Sequence, residues 1–144
     1  MHTTITHTTT IEAPVERVWA LTLDLESLPR ITPTVASVER LDDGPVRIGS
    51  RARLTQPGLP ARVWTVEDLK APERFAWATR LLGVRMIGIH ELEALDDHRC
   101  RLTLHVAFEG RGATLLWRLG RRSIGKAIAT EGAGFNRVAL TTTA

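Results

Sequence analysis

The stretch RVWTVEDLKAPERFAWATRLLGVRMIGIHELEALDDHRCRLTLHVAFE, residues 62–109, decides the fold. Its apolar residues recur at alternate positions, the period of half-buried strands. Ala71-Pro72 divides residues 62–69 from 73–81, Gly83 opens residues 84–95, and Asp96-Asp97 precedes residues 100–109. No segment long enough for a crossover helix lies between these pieces, so they form an antiparallel meander. Parity assigns the faces. Leu102, Leu104, Val106 and Phe108 point one way, and Arg101, Thr103, His105 and Glu109 the other. Arg85, Glu91 and Glu93 share a face, which turns Met86, Gly88, His90 and Leu92 inward. Phe75, Trp77 and Thr79 oppose Arg74 and Arg80, and Trp64 and Val66 complete the inward set.

Working outward, residues 35–41 and 50–56 read as two further strands, closed by Asp42-Asp43-Gly44-Pro45 and Pro57-Gly58-Leu59-Pro60. The second presents Ala52, Leu54 and Gln56 inward. Residues 3–11 alternate Ile5, His7, Thr9 and Ile11 on one side and supply the first strand. Pro14 then suits the first turn of a helix carrying Val15, Val18, Trp19 and Thr22 on one face, with Glu16 favoured by the dipole. Leu28-Pro29 and Thr32-Pro33 limit the next segment to a short second helix or turn. Residues 112–140 lack strand alternation and give a helix of about 25 residues, nearly 40 Å long. Leu116, Trp117, Ile124, Ala127, Ile128, Phe135 and Val138 share its broad apolar face, with Arg118, Arg121, Arg122, Gly125 and Asn136 mostly opposite. Four glycines weaken this helix by about 1 kcal/mol each, so it needs a sheet to lean on and is expected to kink or stop near Gly132 if it breaks at all.

Composition narrows the function classes. The 144 residues, 43% hydrophobic and 24% charged, fit one globular domain spanning 1–144. Cys100 is alone, which excludes an intramolecular disulfide and a cysteine metal cluster. The threonine- and histidine-rich start has no apolar signal-peptide core, and no apolar run can span a bilayer, so no integral membrane segment and a cytoplasmic location are expected. The net charge of +3 comes mostly from arginines alternating along strands, a solvated outer face rather than a nucleic-acid patch. The cluster Arg111, Arg118, Arg121 and Arg122 is the exception. His2, His98 and His105 read as surface or tail residues. No phosphate loop, nucleophile elbow or zinc motif is present, and neither a metal nor another cofactor is expected. Monomer and homodimer both remain open.

A strand, Ala13-Pro14-x-x-x-Val18-Trp19, short helices, a six-strand meander, Gly110-x-Gly112 and a long helix succeed one another along the chain. This pattern resembles the START-like superfamily, and within it the polyketide cyclase/dehydrase branch. Residues 11–39, IEAPVERVWALTLDLESLPRITPTVASVE, carry the best match, and Val66-Glu67-Asp68-Leu69 with Pro72-Glu73-Arg74-Phe75 resembles that family's strand–proline–strand passage. Here Arg30-Ile31 comes after Pro29 where relatives often carry an aromatic, and the final helix is unusually rich in glycine. The resemblance implies an α+β helix-grip fold: a curved seven-stranded antiparallel sheet around a long C-terminal helix, two short helices after the first strand, and a cavity between. Such folds host carriers, receptors and aromatase/cyclases, so the fold does not name the function.

Parity gives the candidate ligand contacts. Gln56, Trp64, Trp77, Thr79 and Met86 face inward, as do His90 and Phe108, and Trp117 adds the helix side. Trp64 and Trp77 are placed to flank a flat ligand. His90 is an ionisable ring on an apolar face; it is either a buried histidine bonded to a neighbour or a group that touches ligand and moves protons. Glu131 projects into the helix's apolar arc; it is exposed if the helix breaks near Thr130, and is an acid–base partner for His90 if it does not. Three readings are open: a binding protein for a small hydrophobic, aromatic or polyketide-like molecule; an aromatase/cyclase-type enzyme using His90 with or without Glu131; or an interaction module using its arginine-rich helix face.

Overall fold

The computed structural model describes residues 3–141, so His2 lies outside the described residues. The chain opens with β1 (Thr4–Ile11), α1 (Val15–Leu23), a single 3-10 turn (Leu25–Ser27) and α2 (Leu28–Ile31). Then come β2 (Ser37–Arg40), β3 (Arg51–Thr55), β4 (Arg62–Lys70), β5 (Arg74–Leu81), β6 (Val84–Ala94), β7 (Cys100–Glu109) and α3 (Ala113–Thr141). All seven strands lie in one antiparallel sheet ordered β1-β7-β6-β5-β4-β3-β2. The meander is as expected, and β1 returns to pair with the last strand, Ile5 opposite Val106 and Ile11 opposite Cys100. Pro14 caps α1 in an extended conformation, and Val15, Val18, Trp19 and Thr22 are among its buried residues, as their spacing requires.

One irregularity adjusts the parity. Val66 pairs with Trp77 while Asp68 pairs with Ala76, so Glu67 is an extra residue in a β-bulge. Before the bulge even-numbered residues face the core; after it Leu69 does, opposite Phe75. The outer face is laced with ion pairs rather than left bare. Arg74 bridges Asp68 and Glu91, each at 2.8 Å, Arg85 joins Glu67 and Glu109, and Arg101 pairs with Glu93. Such exposed pairs contribute about 0–1 kcal/mol each.

The final helix corrects the sequence reading in two respects. It runs unbroken from Ala113 to Thr141 and does not stop at Gly132. Its glycines are contact points: a β-carbon on Gly132 would lie 3.1 Å from Cδ2 of His7, and one on Gly134 would lie 1.8 Å from the Ile31 carbonyl oxygen. Gly125, expected opposite the apolar face, instead lies over Ile5, where a β-carbon on it would stand 3.7 Å from Cγ2. Gly132 lets α3 lie closely along β1. Ile128, Phe135, Val138 and Ala139 are its buried apolar core, whereas Trp117 and Ile124 are only half-buried.

Candidate functional site

A cavity of about 190 Å³ lies between the inner sheet face, the α1–α2 segment and α3. It is smaller than the few hundred Å³ usual for ligand sites because aromatic rings occupy much of the space. Trp64, Trp77, Phe75, His90 and Phe135 form a chain of rings, each centroid 5.3–5.7 Å from the next. Edge-to-face and tilted contacts at this spacing are favourable for aromatic pairs. Gly88 makes the chain possible: it faces Trp77 across β5 and β6, and a β-carbon there would sit 3.2 Å from the Trp77 indole nitrogen.

Six of the sequence candidates converge on this cavity: Gln56, Trp64, Trp77, Met86, His90 and Glu131. Three do not. Thr79 is buried with its hydroxyl donating to the Val63 carbonyl at 2.8 Å, outside the cavity wall. Phe108 is 2% exposed and belongs to the packed core beside the cavity. Trp117 lies against the sheet edge, where its indole donates to the Thr4 carbonyl at 3.2 Å and carries the Arg121 guanidinium 5.2 Å above its ring. Strand parity gives the face of Thr79 and Phe108 and is silent on their position along the strand, and helical projection likewise gives the face of Trp117 and not its distance from the cavity. The wall also includes Phe75, Phe135 and Arg62, absent from the candidate set. Arg62 shares the even parity of Trp64 and Val66, so its signal was present.

At the base of the cavity His90 and Glu131 face each other, Nε2 to Oε2, at 3.5 Å. Of the two placements open for Glu131, the continuous helix selects the inner one. Burial pushes the Glu131 carboxyl up to about 7 and the His90 imidazole down to about 4. Both causes are the same: removal from water disfavours whichever form is charged. Between those values the pair holds a protonated acid beside a neutral imidazole, and the acid can donate to Nε2 if the two close by a few tenths of an ångström. His90 Nδ1, the Trp64 indole nitrogen and Arg62 Nε are buried without hydrogen-bond partners. Unpaired buried donors are unfavourable.

Comparison with known proteins places this architecture. The family model described as polyketide cyclase / dehydrase and lipid transport matches residues 2–134. Among solved structures, a START superfamily protein from Mycobacterium smegmatis superposes with a TM-score of 0.78 at 13% identity, covering 99% of this chain and 100% of the other. The ZhuI aromatase/cyclase from Streptomyces sp. R1128 gives 0.69 at 24% identity, covering 97% and 98%. Norcoclaurine synthase from Thalictrum flavum, in complex with dopamine and hydroxybenzaldehyde, gives 0.75 at 14% identity, covering 98% and 88%. No curated protein matches the chain.

Proposed function

This chain belongs to the polyketide cyclase/dehydrase and lipid transport family, and on that premise we propose that it binds a small hydrophobic, aromatic molecule bearing oxygen acceptors. The observation that carries this reading is the chain of rings along the cavity, two of whose members, Trp64 and His90, keep a ring nitrogen without a partner. Trp64 and Trp77 touch each other and leave no room for a ring between them, so a flat apolar ring gains area burial and stacking against their cavity side, while carbonyl or hydroxyl oxygens meet the free donors. An environment-sensitive fluorescent naphthalene probe tests it. The probe should bind the native protein, and Met86→Trp, which fills the cavity from its wall, should abolish binding. Equal probe affinity in parent and variant would place the site elsewhere.

The contact between His90 and Glu131 favours a second reading, acid–base catalysis of cyclisation on a poly-β-ketone chain. The neutral imidazole would take a proton from a carbon between two carbonyls; that carbon would bond to the carbon of a further carbonyl, and the protonated carboxyl would give its proton to the oxygen released from that double bond. His90→Phe separates the readings, since it keeps a planar ring and removes proton transfer. A binding protein retains most of its probe affinity in that variant; an enzyme loses turnover on a model poly-β-ketone while still binding it.

A further inference from the structure

Six large apolar side chains are exposed among the described residues: Ile48, Leu59, Leu82, Leu115, Leu119 and Leu140. Four of them, the leucines at 59, 82, 115 and 119, gather at one end. The antiparallel order brings the β3–β4 loop, the β5–β6 turn and the start of α3 there together. Gly112 lies against that turn, since a β-carbon on it would stand 3.5 Å from Cγ2 of Val84. The cavity opens at the same end: Leu59 and Leu81 belong to its wall, and Leu59 is 46% exposed.

Leu82 is held there against two local preferences. It forms a two-residue turn with Gly83, between paired Leu81 and Val84, and both have positive φ, 52° and 78°. Such a turn favours Asn-Gly, because a left-handed backbone is strained for a large side chain. Leu82 is also 84% exposed, so the site gains nothing from burying it in the folded chain. On α3, Leu115, Leu119, Arg122 and Lys126 recur at i, i+4, i+7 and i+11, with Arg118 beside them, along one exposed stripe. Between residues 111 and 130 the chain carries five cations, Arg111, Arg118, Arg121, Arg122 and Lys126, and no acid. None of the five joins an ion pair among the described residues.

We propose that this end of the molecule docks on the surface of an anionic lipid bilayer and sets the mouth of the cavity against the lipid. The leucines enter the boundary between headgroups and acyl chains, and the cations lie at the headgroup phosphates. A bilayer suits the pattern better than a protein partner does. The leucines project from three separate segments among cations rather than forming one flat apolar patch, and a fluid interface supplies apolar and anionic surroundings without a fixed shape. The docking is interfacial, for no helix among the described residues is long and apolar enough to cross a membrane. It goes beyond the cavity reading and does not depend on it.

Flotation with lipid vesicles tests the proposal. The protein should float with phosphatidylcholine vesicles containing about one third phosphatidylglycerol, remain behind with pure phosphatidylcholine, and be released by high salt. Each cation removed should weaken binding about fivefold, and the double reversal Arg118→Glu, Arg122→Glu should abolish it. Leu82→Asn should also weaken binding while folding normally, because asparagine accepts the left-handed turn. Met86→Trp should float like the parent, which separates this result from any failure of the cavity reading. A parent protein that ignores anionic vesicles, or variants that float as it does, would overturn the proposal. So would sedimentation showing that the parent dimerises and Leu119→Ser does not, since the patch would then belong to a second copy of the chain.

Discussion

The two halves of α3 are built to different rules. The first half exposes Leu115 and Leu119, keeps Trp117 and Ile124 half-buried, and carries cations without acidic partners. The second half buries Ile128, Gly132, Gly134, Phe135, Val138 and Ala139. It is also tied down by polar contacts: Arg137 donates to the carbonyls of Arg30 and Ile31 at 3.0 and 3.2 Å, Arg17 donates to the Ala139 carbonyl, and Asn136 accepts from the Glu12 amide. One helix therefore serves as a structural clasp at one end and as an exposed surface near the cavity mouth at the other. The same residue type means opposite things in the two halves. A glycine in the second is needed for close approach, while one in the first mainly lowers helix propensity.

The largest way to break this comparison is Gly134→Ala. The new methyl would sit 1.8 Å from the Ile31 carbonyl oxygen, a backbone atom that cannot swing aside. The helix would have to lift from α2, so a loss of about 3 kcal/mol or more, or failure to fold, is expected in denaturant unfolding. A parent-like midpoint would mean that the two helices do not approach as described.

A second test concerns the acid held by the clasp. In the unfolded chain His90 takes up a proton near 6.5 and Glu131 loses one near 4.5; folding moves these to about 4 and about 7. From about pH 4.5 to 6.5 the folded and unfolded pairs bind equal numbers of protons, so their contribution to stability is flat. As pH rises from about 6.5 through 7 only the folded chain keeps the Glu131 proton, and that stabilisation is lost. In Glu131→Gln the histidine acts alone: the unfolded chain binds a proton that the folded one refuses. Its stability should therefore rise with pH between about 4 and 6.5, by up to about 1.4 kcal/mol per pH unit, while the parent stays flat. Parallel pH profiles for the two proteins would show that folding does not raise the Glu131 carboxyl.

The smallest effect sharpens the contrast from the other half. A β-carbon on Gly125 would meet Ile5 at 3.7 Å, an ordinary contact. Gly125→Ala should stabilise by about 0.5–1 kcal/mol through helix propensity alone, visible as a raised melting temperature. Destabilisation instead would show that the first half of α3 also packs too tightly to accept a methyl.

The strand faces, the helix start at Pro14 and the inward position of His90 were legible in the sequence. Each rests on local physics: side chains alternate with period two, proline and glycine restrict the backbone where they stand, and apolar residues mark the buried face. The bulge at Glu67 escaped because it depends on how β4 meets β5. The exclusion of Thr79, Phe108 and Trp117 from the cavity wall escaped for a related reason, since strand alternation and helical periodicity give direction and not depth. Tertiary structure alone decided the meaning of the α3 glycines and the position of Glu131. A glycine weakens a helix in isolation, and only the neighbouring His7 ring and Ile31 carbonyl turn it into a requirement. Glu131 reaches His90 because α3 continues as helix through Gly132, setting a contact 41 residues apart in the chain that no local preference encodes.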